Sequence, residues 1–150
     1  MPFTPSTRWL FGCIFFFTPS SAGAEEVKIT VLAIFATDKN STVDADLKEI
    51  AERVQKQEPK LTGFRQGRQS SKSVTVGDGS KESFALTEDQ VVTVSVEAVV
   101  KKEKVRMTIK PPTLGEITYS TSWEKFFPIV TRYVTKDKER LIIAIMVEHK

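Results

Sequence analysis

Residues 27–37, VKITVLAIFAT, carry apolar side chains at both alternating sets of positions. The two sets are Val27, Ile29, Val31, Ala33 and Phe35, and Leu32, Ile34 and Ala36. Because successive side chains of a strand point to opposite faces, this pattern is typical of a strand that is covered on both sides. Residues 140–148, RLIIAIMVE, repeat the pattern near the end of the chain. We therefore expect the first and last strands to be neighbours at the centre of a sheet.

Residues 43–57 predict one amphipathic helix. Their apolar side chains recur at helical spacing and form a single stripe, consisting of Val43, Leu47, Ile50, Ala51 and Val54. On the other face, Glu49 precedes Arg53 by four positions, and Glu52 precedes Lys56 in the same way, which predicts favourable ion pairs. Pro59 ends the segment. We expect the apolar stripe to pack on one face of the sheet and the charged face to lie in water.

The remaining segments predict further strands. Their approximate ranges are 61–69, 74–76, 83–86, 90–100, 105–109, 114–120 and 127–135. One strand, one helix and then a long antiparallel series indicate an α+β fold. We predict one amphipathic helix packed on a mostly antiparallel sheet of about 6–8 strands, with the first and last strands central. The hairpin at residues 90–110 is a candidate to fold over the opposite face of that sheet.

Residues 1–24 have the pattern of a cleavable signal peptide. Arg8 precedes the apolar run at residues 9–17, and Ala22-Gly23-Ala24 is an A-x-A-type cleavage site. Cys13 follows residues that resemble a lipidation box, but the apolar run continues after this cysteine instead of preceding it. We predict a single secreted α+β domain at residues 25–150, exported to the periplasm or the extracellular space after cleavage near Ala24.

Composition excludes several classes of site in that domain. The chain has one cysteine, Cys13, which lies in the predicted signal peptide, and one histidine, His149, next to the last residue. A thiolate nucleophile, a disulfide, a cysteine-ligated metal and a histidine-based triad are therefore excluded from residues 25–150. We predict a protein that is not an enzyme, with no catalytic, cofactor-binding or metal-binding residues and no cofactor.

Two groups of side chains form a possible contact surface. The aromatic group is Tyr119, Trp123 and Phe126, and the basic group is Lys101, Lys102, Lys104 and Arg106. Basic side chains on a hairpin can contact an anionic envelope polymer. Nucleic acid is not an expected partner, since no aromatic residues lie beside these cations and the net charge is only +3. The alternatives are a solvated strand face for the basic group and packing of Trp123 on the edge of the core.

The sequence thus favours a small exported module that acts by contact with a protein or an envelope polymer and has no transmembrane segment in its mature chain. A carboxylate-dependent hydrolase of an envelope polymer is an alternative, with Glu88, Asp89, Glu116 and Glu124 as its candidate acids. A secreted protease inhibitor that presents residues 111–114, PPTL, is another.

Overall fold

The computed structural model describes residues 25–101 and 104–150. The predicted signal peptide at residues 1–24, Lys102 and the side chain of Lys101 lie outside the described residues. The strands are β1 (Glu26–Thr37), β2 (Gly63–Thr75), β3 (Glu82–Ala85), β4 (Val91–Lys101), β5 (Lys104–Lys110), β6 (Ile117–Ser122), β7 (Phe127–Val134) and β8 (Arg140–His149). A 3-10 turn at Ala45–Leu47 leads into the helix α1 (Lys48–Gln57).

The strands form two antiparallel sheets. The first has the order β2-β1-β8-β7, and the second has the order β3-β4-β5-β6. Strands β1 and β8 pair from Val27 opposite His149 to Ala36 opposite Arg140, so the first and last strands are the central pair of the first sheet, as the sequence predicts. The α+β class with a mostly antiparallel arrangement is confirmed.

The prediction of a single sheet is wrong, because β3 to β6 form a separate second sheet. The physical reason is that the strands of the second sheet have only one apolar face, as β5 shows. Its apolar side chains are buried and its charged side chains are exposed, the buried set being Val105, Met107 and Ile109 and the exposed set Lys104, Arg106 and Lys110. A strand with only one apolar face suits an outer layer, whereas β1 and β8 have two apolar faces and need cover on both sides.

The core has two parts, one on each face of the first sheet. On one face, Leu32 and Ile142 pack with the apolar stripe of α1. On the other face, Ile29 and Ile143 belong to a larger cluster that includes Met107 of the second sheet. The molecule is therefore layered as helix, first sheet and second sheet, and the central strands β1 and β8 are buried on both sides.

The helix begins later than the sequence predicts. Val43 forms an isolated parallel bridge with Phe64, and the carboxylate of Asp44 accepts a hydrogen bond from the Gln66 N–H at 2.7 Å. These two residues therefore pair with β2, and the α-helix begins at Lys48. Within the described residues, no helix has both the length and the apolar character needed to cross a membrane.

Strand β2 is longer than predicted, since it runs through the hydrophilic residues 70–73. It lies at the edge of the first sheet, and among the described residues β1 is the only strand that pairs with it. Ser71 Oγ lies 2.8 Å from Thr30 Oγ1 of β1, within hydrogen-bond distance, while Lys72 and Ser73 are exposed. An edge strand needs few apolar side chains, and its polar residues protect the edge from pairing with another chain.

Candidate functional site

The two sides of the sandwich, where the edges of the two sheets meet, are closed in different ways. On the side of β2 and β3, Lys72 Nζ donates to the carbonyl of Ser83 and lies 3.9 Å from a carboxylate oxygen of Glu82. The same ammonium lies 5.3 Å from the centre of the Phe84 ring. One lysine thus links β2 to β3 and covers this side of the core.

The opposite side, between β6 and β7, contains an open cleft. Tyr119 of β6 lies opposite Met107 of β5, so its side chain is directed to the space between the sheets. Its ring centre is 5.2 Å from that of Phe127, and Tyr119 remains 37% exposed. The cleft has a volume of about 420 Å³ and is lined by Arg53, Lys56, Gln57, Tyr119, Ser120, Thr121, Phe127 and Pro128.

The helix supplies two cations to this cleft, and the lining named above contains no aspartate or glutamate. Arg53 Nη1 donates to the carbonyl of Phe126 at 2.7 Å, which holds the guanidinium beside β7. Over the described ranges 25–101 and 104–150, the predicted ion pairs of Arg53 with Glu49 and of Lys56 with Glu52 do not form. Both cations can therefore face an anion that enters the cleft.

The predicted aromatic group is divided between different surroundings. Tyr119 lines the cleft, whereas Phe126 packs against the core beneath the helix. Phe126 and Arg53 also line a neighbouring depression of about 310 Å³, which contains Asp46, Glu49 and Glu124 as well. Trp123 packs against the core between the two sheets. Of the three aromatic residues, the structure therefore places Tyr119 in the cationic cleft.

Trp123 contacts the end of the last strand. Its ring is stacked on that of His149, with the ring centres 3.7 Å apart and the planes inclined by 18°. The next residue, Glu124, has a φ of +62°, and its N–H donates to the Val147 carbonyl at 2.8 Å. Among the described residues, the Trp123 Nε1 is buried without a hydrogen-bond acceptor. These contacts favour the alternative in which Trp123 packs on the edge of the core.

The two described side chains of the basic group lie on the outer face of the second sheet. Lys104 and Arg106 are exposed on β5, opposite Ser122 and Ser120 of β6. Arg106 Nε is 3.7 Å from a carboxylate oxygen of Glu97, so part of the positive charge is compensated locally. The Lys101 side chain and Lys102 are outside the described residues. Arg106 therefore has a carboxylate oxygen within 4 Å, whereas among the described residues Arg53 and Lys56 of the cleft have none at that distance.

Two of the four candidate acids lie together in another cleft. Glu88 and Asp89 line a cleft of about 400 Å³ with Asp137, Glu139 and Arg65. Glu116 and Glu124 are exposed outside the lining of this cleft. A hydrolase that uses two carboxyl groups needs one of them protonated at the working pH, which requires a raised pKa.

Glu139, which lines the same cleft, has a pKa that is lowered and not raised. It accepts hydrogen bonds from Arg65 Nε at 2.8 Å and Arg65 Nη2 at 2.6 Å, and the Arg65 guanidinium lies 4.6 Å from the centre of the Phe35 ring. The hydrogen bonds from Arg65 lower the pKa of Glu139, and the same contact raises the pKa of Arg65. Glu139 is therefore suited to linking β2 to the turn before β8, and poorly suited to donating a proton.

We expect Glu139→Gln to lower the free energy of unfolding by about 1 kcal/mol at pH 7, in the range of well-formed surface ion pairs. Because folding lowers the pKa of Glu139 below its ordinary value of 4.5, the stabilisation is present above pH 4.5. It is lost as the pH falls through the lower pKa of the folded state. Thermal melting of both proteins between pH 7 and pH 3 measures this difference. Glu88→Gln is the control, and a difference that does not change with pH would contradict the charge-based explanation.

The segment proposed for a protease inhibitor is held at both ends. Pro111 is buried, and Leu114 packs against the core between the sheets. Thr113 between them is exposed and has a φ of +64°. Thr113 is therefore the most exposed position of this segment, and its left-handed backbone is not the extended one of a strand.

No sequence pattern marks Arg53, Lys56 or Gln57 as site residues. The available signal was their spacing on the charged face of the helix, which also fits ordinary ion pairs. Only the position of α1 beside β7 shows that these side chains reach a cleft. Comparison of the chain with protein-family models, curated proteins and solved structures finds no match.

Proposed function

We propose that this protein is a small exported module, without enzymatic activity, that acts by contact with an anionic polymer of the cell envelope. The observation that carries the proposal is the cleft between α1, β6 and β7. It combines two cations and an exposed tyrosine with no carboxylate in its lining. Export is inferred from the signal-peptide pattern of residues 1–24.

Electrostatics supports this choice of site among the basic surfaces of the molecule. A polyanion is attracted by the summed field of the protein and held where cations are not already compensated. Glu97 lies beside Arg106, and Glu82 lies beside Lys72. The lining of the cleft around Lys56, in contrast, contains no aspartate or glutamate. The cleft is therefore the place where an anionic chain meets uncompensated charge and an aromatic surface together.

The test compares two charge reversals in binding to isolated envelope material. Lys56→Glu places a carboxylate in the cleft, whereas Lys104→Glu makes the same change of net charge on the outer face of the second sheet. We expect Lys56→Glu to weaken co-sedimentation with the envelope fraction by about tenfold, while Lys104→Glu changes it by less than about threefold. Both positions are exposed, so thermal melting should show both variants to be folded.

Equal losses in the two variants would indicate non-specific attraction by the total charge and would contradict the cleft as the binding site. Unchanged binding by Lys56→Glu would contradict it as well. The comparison is informative because the protein has a net charge of +3, and any polyanion attracts it to some extent.

A carboxylate-dependent hydrolase is the second candidate, favoured by the presence of Glu88 and Asp89 in a cleft with two further carboxylates. The two functions differ in what happens to the polymer. A contact module leaves the chain length unchanged, whereas a hydrolase shortens it and loses this activity in Glu88→Gln or Asp89→Asn. Size analysis of the polymer after prolonged incubation distinguishes them.

A further inference from the structure

We infer that the polymer is an acidic polysaccharide, with a sugar ring packed on Tyr119 and its carboxylate groups paired with Arg53 and Lys56. This inference rests on the proposed function and names the chemical class that the same cleft binds. It follows from three features of the cleft, which are the kinds of polar group around the tyrosine, the arrangement of the cations and the edge of β7.

The surroundings of Tyr119 match the two sides of a sugar ring. A sugar presents C–H groups on its face and hydroxyl groups around its rim. Tyr119 offers an exposed aromatic surface supported by Phe127 at 5.2 Å between ring centres. Gln57 and Thr121 add one amide and one hydroxyl, which both donate and accept hydrogen bonds as sugar hydroxyls require. A volume of about 420 Å³ lies within the range of small-ligand clefts.

The cations supply the selection for acidic sugars. The hydrogen bond from Arg53 Nη1 to the Phe126 carbonyl fixes the guanidinium and leaves its other N–H groups available, and a guanidinium can hold a carboxylate with two parallel bonds. Lys56 lies three positions further along α1, which places it near Arg53 on the same side of the helix. Two adjacent cations fit a chain that carries a carboxylate on successive sugars.

The edge of β7 argues against an acidic peptide as the occupant. A peptide strand that adds to a sheet needs free backbone donors and acceptors along the edge. Pro128, near the start of β7, has no N–H, and the carbonyl of Phe126, just before the strand, already accepts from Arg53. Strand addition to the start of β7, beside the cleft, is therefore obstructed, and recognition by side chains is favoured there. An acidic peptide held along the free edge of β6 is the competing occupant, and the test includes it.

The experiment measures binding of three soluble probes by isothermal titration calorimetry. The probes are oligogalacturonate as the acidic sugar chain, oligoglutamate of similar charge as the acidic peptide, and a neutral dextran oligomer. We expect oligogalacturonate to bind at least about tenfold more tightly than either other probe, and to bind more weakly as salt increases. Tyr119→Ala should weaken this binding by about tenfold or more, as expected for an anchor residue, whereas Tyr119→Phe retains it within about threefold.

Melting curves of the Tyr119 variants show whether each is folded, and Gln57→Ala provides a second test of the cleft on the exposed helix surface if Tyr119→Ala does not fold. Oligoglutamate binding that equals that of oligogalacturonate and is unaffected by Tyr119→Ala would overturn the polysaccharide assignment while leaving the anionic contact in place. If neither oligogalacturonate nor oligoglutamate binds, the polysaccharide assignment is overturned too. If Lys56→Glu and Lys104→Glu then also bind the envelope equally, the proposed function fails with it.

Discussion

Ile143→Asp and Leu32→Asp are each expected to abolish folding. Ile143 is fully buried between the two sheets, and Leu32 is 4% exposed beneath the helix. Both side chains pack within clusters of buried apolar residues, which offer the new carboxylate no cation. Burying an unpaired carboxylate, or keeping it protonated there, costs several kcal/mol in addition to the packing that is lost. The total free energy of unfolding of a domain is only about 5–15 kcal/mol, so we expect a loss of this size to leave too little stability for folding.

Circular dichroism and thermal melting of the purified variants measure this effect. Val134→Asp is the matched control, because Val134 belongs to the same sheet but is 50% exposed at its edge. We expect it to change the free energy of unfolding by less than about 0.5 kcal/mol. Cooperative melting of Ile143→Asp or Leu32→Asp near the wild-type temperature would contradict the central position of the strand concerned. The pair is informative because Leu32 tests the helix layer and Ile143 tests the layer between the sheets.

The central position of these strands could be predicted because it leaves a local trace in the sequence. A strand covered on both faces must be apolar at successive positions, and β1 and β8 have that pattern on their own. When only one face of a strand is apolar, its sequence does not indicate which strand it pairs with. The alternation in β5 shows that one face is buried, but the same alternation fits an added strand of the first sheet or a strand of a second sheet packed on it.

The candidate site was less predictable, because its residues come together only through tertiary structure. Tyr119 was included in the predicted contact surface as part of an aromatic group. The spacing of its cationic neighbours, Arg53 and Lys56, predicts ion pairs within the helix instead. The deciding contact is the hydrogen bond from Arg53 to the Phe126 carbonyl, which joins residues separated by 73 positions. Spacing along a helix cannot indicate a partner that distant in sequence.

The position of Trp123 also depends on distant residues. The sequence left open whether this side chain belongs to a contact surface or to the edge of the core. Its ring is stacked on His149, and the following residue is hydrogen-bonded to Val147. Both contacts connect the loop between β6 and β7 to the end of β8, so the side chain stabilises the junction of the two sheets.

Trp123→Ala is accordingly expected to lower the free energy of unfolding by about 3 kcal/mol, near the lower limit for removing a large aromatic side chain from a core. The lower limit applies because Trp123 is only partly buried. His149→Ala removes the stacking partner alone and should cost about 1 kcal/mol or less, since His149 is exposed. Chemical denaturation of the three proteins, followed by circular dichroism, measures both changes.

Trp123→Phe separates the packing of the ring from its polar atom. Phenylalanine keeps much of the contact with the core but lacks the Nε1–H group, which is buried without an acceptor among the described residues. Leaving such a donor unpaired costs about 1–3 kcal/mol, so removing it offsets most of the loss in packed surface. We therefore expect Trp123→Phe to be within about 1 kcal/mol of the wild type, well above Trp123→Ala in stability. If Trp123→Ala instead melts with the wild-type protein but weakens envelope binding, Trp123 belongs to a contact surface, because a side chain that supports the core cannot be removed without a loss of stability.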